Sequence, residues 1–180
     1  MLKHSTKSPS NDIELVAYSL EEPPYFDTEH MGSYVHAKSL RDKNSKVKFM
    51  ISMEMIGYFT DRPDSQDFPA GFLGIFYPNA GNFIAVVSGF SSLGLVRDIK
   101  SKMIRSSNID VRSMNAPQKA FGIGLSDHRN YWVFDYPAVM VTDTSFFRNK
   151  NYHEKTDTPD TLDYERMAEV VRGVFGAIND

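Results

Sequence analysis

The sequence contains no cysteine in its 180 residues, which excludes disulfides, thiol nucleophiles and thiolate metal sites. Any metal ion would have to be bound by histidine, aspartate or glutamate. No window approaches the roughly eighteen apolar residues of a membrane span, and the polar segment 1–12 lacks the apolar stretch of a signal peptide. We therefore expect a soluble chain, cytoplasmic as written, that does not associate with membranes.

A surplus of basic residues is also missing, because 20 Lys and Arg face 23 Asp and Glu for a net charge of −3. This balance does not favour binding to nucleic acid or to an anionic membrane. Hydrophobic residues make up 41% and charged residues 24% of the chain, which is ordinary for a globular protein. The length predicts a single domain over 1–180, in which the Pro-, Asp- and Gly-rich stretch 60–82 is a long loop.

Periodicity predicts that strands and helices alternate along the chain. The predicted strands are Ile13–Leu20, Val47–Ile56, Phe83–Ser88, Val111–Met114 and Pro137–Val141. The first predicted helix is Gly32–Arg41, and a short helix or turn is predicted at Asp127–Trp132. A second long helix is capped by Ser92 and carries the apolar stripe Leu95, Ile99 and Met103. The last helix starts near Asp160, and its buried face is predicted to consist of Met167, Val171, Val174, Phe175 and Ile178. The first strand is nearly all apolar, which is typical of a strand buried on both faces. Alternating strands and helices indicate an α/β layered sheet.

Polar groups follow three of the predicted strands, where open α/β sheets bind their ligands. These groups are Glu21–Glu22, Glu54, and Asp143 followed by Arg148 and His153. Burying adjacent carboxylates is costly, and a divalent cation would relieve both their repulsion and their desolvation. One carboxylate could then bind metal while the other transfers a proton. Alternatively, Glu21–Glu22 cap a turn in solvent, Glu54 lies on the exposed face of an edge strand, and His153 is an exposed loop residue.

The remaining histidines give weaker signals. Ser126-Asp127-His128 is not expected to be a hydrolase triad, because consecutive residues on one turn cannot form the relay geometry. His4, His30 and His36 have no supporting partners in the sequence, so surface or structural roles are expected for them.

Five ordered motifs together resemble the core of the M28 family of zinc peptidases. They are Glu21–Phe26, Thr28–Ser33, Glu54–Tyr58, Ser126–His128, and Tyr152–His153 with Thr156–Asp160. The resemblance runs from about Ile13 to the C-terminal helix. It implies a three-layer α/β sandwich with a mostly parallel mixed sheet, the zinc-peptidase (phosphorylase/hydrolase-like) fold, truncated at its N-terminus.

The resemblance also implies an activity and a set of site residues. The family is similar to aminopeptidases that use two zinc ions to hydrolyse peptides. Glu21 would be the general base, Glu22 and His153 would bind the first zinc, and Glu54 would bind the second, where many relatives have Asp. Five residues would lie on the substrate side of the cleft: Ser126, Asp127, His128, Arg148 and Tyr152.

One departure from the family pattern concerns the remaining zinc ligands, a His in a His-x-Asp motif and a bridging Asp. They precede the Glu-Glu pair by tens of residues in the family, whereas only 20 residues precede Glu21 here. His4 has the wrong spacing, and Asp12 begins the predicted strand that ends at Glu21. Since catalytic zinc sites usually have three protein ligands, we expect the C-terminal part of a peptidase domain that binds zinc weakly or not at all and is inactive alone.

Three further expectations follow. Loss of N-terminal strands would expose sheet surface and favour self-association. A non-catalytic module that binds a peptide or a partner is the alternative function, and a glutaminyl cyclase-like transferase is a further one. The compartment stays open, since full-length members of the family are often secreted or periplasmic.

Overall fold

The computed structural model describes residues 12–179, so His4 and nearly all of the polar segment predicted at 1–12 lie outside the described residues. The described residues form four strands and four α-helices. In chain order they are α1 (Gly32–Asp42), β1 (Met50–Glu54), β2 (Phe83–Ser88), α2 (Leu93–Ser106), β3 (Asp110–Asn115), α3 (His128–Val133), β4 (Ala138–Thr142) and α4 (Tyr164–Asn179).

The strands form one mixed sheet in the order β1-β4-β2-β3. β1 and β4 are parallel, as are β2 and β3, while β2 and β4 are antiparallel. The pairing of β1 with β4 sets Glu54 directly beside Thr142. The carboxyl ends of these two strands therefore meet at one edge of the sheet, which is where the polar groups of the sequence converge.

Helices and loops cover both faces of the sheet, as the burial of β2 shows. All six residues of β2 are buried, and they alternate between two cores. Ile84 and Val86 belong to the core formed with α2 and α4, whereas Phe83, Ala85 and Val87 belong to a core on the opposite face. The helix–sheet–helix arrangement confirms the predicted α/β fold class.

The helix predictions are confirmed in outline and corrected in detail. In α2, Ile99 and Met103 are fully buried as predicted, but the Ser92 side chain makes no capping hydrogen bond. In α4, Val174 is buried, whereas Val171 is 39% exposed and Val170 is buried instead. The reason is the close approach of α4 to α2, which rotates the buried face of α4 by about one residue.

The predicted strand Ile13–Leu20 is wrong. Residues 12–20, which we call the N-terminal arm, pair with no strand formed by residues 12–179, and Leu15 is 77% exposed. The arm is held by Tyr18, whose hydroxyl bonds to Tyr131 (2.7 Å) and His36 (2.8 Å), and by the Ser19 carbonyl, which accepts the Gly32 N–H. An apolar sequence indicates a tendency to be buried, but a strand also needs a neighbouring edge to pair with.

The predicted loop 60–82 contains one short 3-10 helix, Gly71–Ile75. It is fixed to the segment after β4, because the Asp67 N–H donates to the Phe147 carbonyl at 2.7 Å and Gln66 bonds to Thr144 at 2.9 Å. Within 12–179, none of the helices is both long enough and apolar enough to cross a bilayer.

Candidate metal and substrate site

Glu54 ends β1 and points toward the cleft, where a chain of hydroxyl groups orients it. Ser52 bonds to Ser126 at 2.9 Å, and the Ser126 hydroxyl donates to Glu54 Oε2 at 2.8 Å. Burial raises the pKa of Glu54, an effect that the Ser126 hydrogen bond opposes and the charges of Asp127 and Glu22 reinforce. Glu54 is therefore a half-buried carboxylate with negative neighbours.

Glu21 and Glu22 follow the N-terminal arm at a tight turn, in which the Glu22 carbonyl accepts the N–H groups of Tyr25 and Phe26. Burial, and after it the charges of Glu54, Asp127 and Glu22, raise the pKa of Glu21 to about 8. These causes show that Glu21 lies among the other carboxylates rather than in solvent. A carboxyl group with this pKa can accept or release a proton near neutral pH.

His153 lies beside Glu22 although 130 residues separate them in the chain. His153 Nε2 and Glu22 Oε1 are 3.6 Å apart, and the imidazole stacks on Tyr152 with ring centroids 4.0 Å apart. His153 adopts a left-handed backbone conformation (φ 62°). The structure thus brings together Glu21, Glu22, Glu54 and His153, the predicted base and zinc ligands.

The separation of Glu22 and His153 bears on whether the two side chains could share one metal ion. Two ligands about 2.0–2.1 Å from one tetrahedral zinc ion lie roughly 3.4 Å apart, close to the Glu22–His153 separation of 3.6 Å. The pair therefore fits two positions around one ion. Within 12–179, however, no group of three or more His, Asp or Glu side chains is arranged to hold a metal.

The predicted substrate residues divide into two groups. Asp127 and Tyr152 lie near the carboxylates, since the charge of Asp127 helps to raise the pKa values of Glu21 and Glu54, and the charges of Glu22, Glu54 and Glu21 help to raise that of Tyr152. The other three predicted substrate residues, Ser126, His128 and Arg148, are buried, at 0%, 0% and 2% exposure.

The buried positions of His128 and Arg148 have clear structural roles. His128 Nε2 lies 2.7 Å from the Ile123 carbonyl, and its ring packs edge-on against Trp132. Burial lowers the pKa of His128 to about 4, so this imidazole is neutral at physiological pH. Arg148 donates to Gln66 at 2.9 Å, and its guanidinium lies 4.7 Å from the centre of the Phe83 ring.

Asp143, which follows β4, ties the ends of β1 and β4 together. One of its oxygens accepts the N–H groups of Gly57 (3.1 Å) and Tyr58 (2.8 Å), and the other accepts that of Ser145 (3.0 Å). Burial raises the pKa of Asp143 to about 6, against the lowering effect of these bonds and of Arg148. The carboxylate therefore fixes the segment that follows Glu54 to the loop that leads to His153.

An apolar cavity of about 110 Å³ adjoins the carboxylates, and both Glu54 and Tyr152 line it. Most of its other walls are apolar side chains from the loop 60–82, the sheet, and the segments after β3 and β4: Phe68, Leu73, Tyr77, Val87, Phe121, Met140 and Phe147. The sequence analysis did not find these residues. Their spacing carries no signal, because they come from separate segments that only the fold brings together.

The sequence matches the model of peptidase family M28 over residues 1–178. It is 48% identical over 167 residues to the uncharacterized protein YfbL of Escherichia coli (strain K12), an alignment that covers 93% of this chain and 51% of YfbL. It is 27% identical over 172 residues to the probable leucine aminopeptidase 1 of Trichophyton verrucosum, with 95% of this chain and 40% of that protein covered.

The fold is similar to that of LapA from Legionella pneumophila, whose crystal structure superimposes with a TM-score of 0.62 at 21% identity. The superposition covers 91% of this chain and 39% of LapA. The chain thus spans about half the length of YfbL and about two fifths of the other two proteins.

Proposed function

This chain belongs to peptidase family M28, and on that premise we propose that it carries part of the active site of a zinc aminopeptidase. In this proposal Glu21 is the general base, Glu22 and His153 are ligands of one zinc ion, and Glu54 is a ligand of a second. Residues 12–179 would supply two ligands to the first zinc ion and one to the second, fewer than the three that catalytic zinc usually has, so we expect the chain by itself to bind zinc weakly and not to hydrolyse peptides.

The observation that carries the proposal is the proximity of Glu21, Glu22, Asp127 and Glu54, with His153 3.6 Å from Glu22 and Glu54 lining an apolar cavity. Neighbouring carboxylates raise the pKa values of Glu21 and Glu54, and such an arrangement is unfavourable without a cation. Zinc would supply Lewis acidity toward the peptide carbonyl and lower the pKa of water. Glu21 would then take up a proton from the attacking water and pass it to the leaving amine.

The same residues favour cleavage at the amino end of a peptide. The negative charge of the carboxylates would attract the terminal ammonium group, and Asp127 would pair with it. The cavity of about 110 Å³ is somewhat smaller than the engineered cavity of about 150 Å³ that binds benzene. It therefore suits an aliphatic first side chain such as leucine, while its apolar walls disfavour a charged one.

A second function has one observation in its favour. The absence of a three-donor metal group within 12–179 is what a module that binds peptides without hydrolysing them would show. The two functions differ in a measurable way, since only the zinc peptidase requires Glu22 and His153 to bind metal.

The test is a calorimetric zinc titration of the chain and of the variants Glu22→Gln and His153→Ala. We expect weak binding that both variants abolish. Glu154→Gln, at an exposed carboxylate next to His153, is the matched control and should bind like the parent chain. Binding that survives both substitutions would place the metal elsewhere and contradict the proposed ligand pair.

Hydrolysis of leucyl-p-nitroanilide by the same samples tests the second half of the proposal. We expect no zinc-dependent release of p-nitroaniline from the chain alone. Turnover at a kcat within the ordinary enzyme range of about 1–10³ s⁻¹ would show that the site is already complete, and the account of absent ligands would then be wrong.

A further inference from the structure

The apolar cavity beside Glu54 extends across all four strands of the sheet. The sheet residues that line it include Glu54 of β1, Met140 of β4, Ala85 of β2 and Met114 of β3. These strands are neighbours in that order and lie about 4.8 Å apart, so the three spacings from β1 to β3 give the cavity a length of about 14 Å. All of its lining residues lie between 54 and 152, a part of the chain that the structure describes throughout.

The cavity is narrow for this length. Its volume of about 110 Å³ is less than the roughly 150 Å³ of an engineered cavity that holds the compact ring of benzene. Spread over about 14 Å of sheet, such a volume admits one unbranched chain but neither a ring nor a branched group beyond the Glu54 end. Met55, Met114 and Met140 line it, and the flexible side chain of methionine adapts to a ligand of this shape.

Ala85 keeps the middle of the cavity open. The pairing of β1 with β4 and of β4 with β2 places Glu54, Thr142 and Ala85 in one row across the sheet. Ala85 therefore lies two strand spacings, about 9.6 Å, from Glu54. Its neighbours on the same face of β2 are Phe83 and Val87. A methyl group between two larger side chains leaves a depression in the surface of the sheet at this point.

The two ends of the cavity differ in polarity. Glu54 lies at one end, where it has other negatively charged groups as neighbours. Met114 and Tyr77 line the other end, and the Tyr77 hydroxyl already donates to the Ser113 carbonyl at 2.8 Å. This end therefore offers a ligand an apolar surface. The matching ligand has a cationic head group and an unbranched apolar tail.

We propose that the cavity is a channel for one long unbranched apolar chain and binds n-alkylammonium ions of about ten carbon atoms. Carbon–carbon bonds of about 1.5 Å and bond angles near 111° advance an extended chain by about 1.25 Å per carbon, so roughly eleven carbons cover the length of the cavity. Binding depends on the cavity alone. Only the further step, that the substrate is an amide with such a chain beside the scissile bond, rests on the proposed function.

An NMR titration of the chain with n-alkylammonium ions, from butyl- to dodecylammonium, tests the length of the channel. Each added methylene should strengthen binding about fourfold up to about ten carbons, and further methylenes should add nothing. Affinity that levels off at about five carbons would instead show a pocket for an ordinary side chain and overturn the proposal. EDTA in every sample removes zinc, so this result is independent of whether Glu22 and His153 bind metal.

The variant Ala85→Leu tests the path of the chain. The larger side chain would fill the depression, so affinity should level off at about six carbons, while butylammonium binds as it does to the parent chain. Val86→Leu is the matched control, since Val86 follows Ala85 in β2 but belongs to the core on the opposite face. It should keep the length dependence of the parent chain. The same dependence in Ala85→Leu would place the ligand elsewhere and refute the channel.

A comparison of two isomers needs no variant and therefore decides the question even if Ala85→Leu does not fold. n-Octylammonium and 2-ethylhexylammonium have the same number of carbon atoms, but only the first is unbranched. We expect the branched isomer to bind the parent chain about tenfold more weakly, because it overpacks a narrow cavity. Equal affinities would show a cavity wide enough for a branched group and would contradict the proposal.

Discussion

Replacing Asp143 with alanine should destabilise the chain strongly, because this carboxylate is 2% exposed and joins the ends of two strands. The substitution leaves the N–H groups of Gly57, Tyr58 and Ser145 without their acceptor. It also removes the negative charge of Asp143, which raises the pKa of the buried guanidinium of Arg148. None of these losses can be relieved by solvent without opening the segment that follows Glu54.

The expected cost is about 3–5 kcal/mol, because three backbone donors lose their acceptor and each unsatisfied donor costs about 1–3 kcal/mol. Urea unfolding followed by circular dichroism measures it as a lower midpoint at unchanged slope. Asp98→Ala is the control, because Asp98 is 52% exposed in an i,i+4 pair with Lys102. Its effect should stay within about 0.5 kcal/mol. A loss below about 1 kcal/mol for Asp143→Ala would refute the assigned role.

Two further predictions concern Glu21 and the glycines. The pKa of Glu21 is raised to about 8 in the fold from about 4.5 in the unfolded chain, so the folded state binds the proton more tightly. As the pH rises from about 4.5 to about 8, the free energy of unfolding of the parent chain should therefore fall relative to that of Glu21→Gln. The expected fall is about 1–2 kcal/mol after allowance for the partial exposure of Glu21. A difference between the two free energies that does not change with pH would contradict this. Gly124→Ala should cost about 1–3 kcal/mol by overpacking, since the added Cβ would lie 2.7 Å from the Gln118 carbonyl oxygen. At Gly71 a Cβ meets nothing within 4 Å, so a comparable loss from Gly71→Ala would show that the contact at Gly124 is not the cause.

The sequence predicts those site residues whose chemical role follows from their residue type and from the order of the motifs along the chain. Glu21, Glu22, Glu54 and His153 were predicted as one group from polar residues after strands and from ordered motifs, and the structure brings them together. Their roles as base and ligands stay predictions. The resemblance implies that Ser126, His128 and Arg148 lie on the substrate side of the cleft, but residue order does not reveal whether a side chain faces the cleft or the core, and the structure buries all three.

Residue order and periodicity by themselves determined the α/β class, the bounds of β2 to within the residue and the buried stripe of α2, because these depend on local alternation of apolar and polar side chains. Only the tertiary structure decided that the apolar arm 12–20 pairs with no strand formed by residues 12–179, that Asp143 joins β1 to β4, and that separate segments enclose a cavity beside Glu54. The physical reason is that pairing and burial depend on which other segments are within reach. A local pattern records a preference for such partners, and the folded chain determines whether they are present.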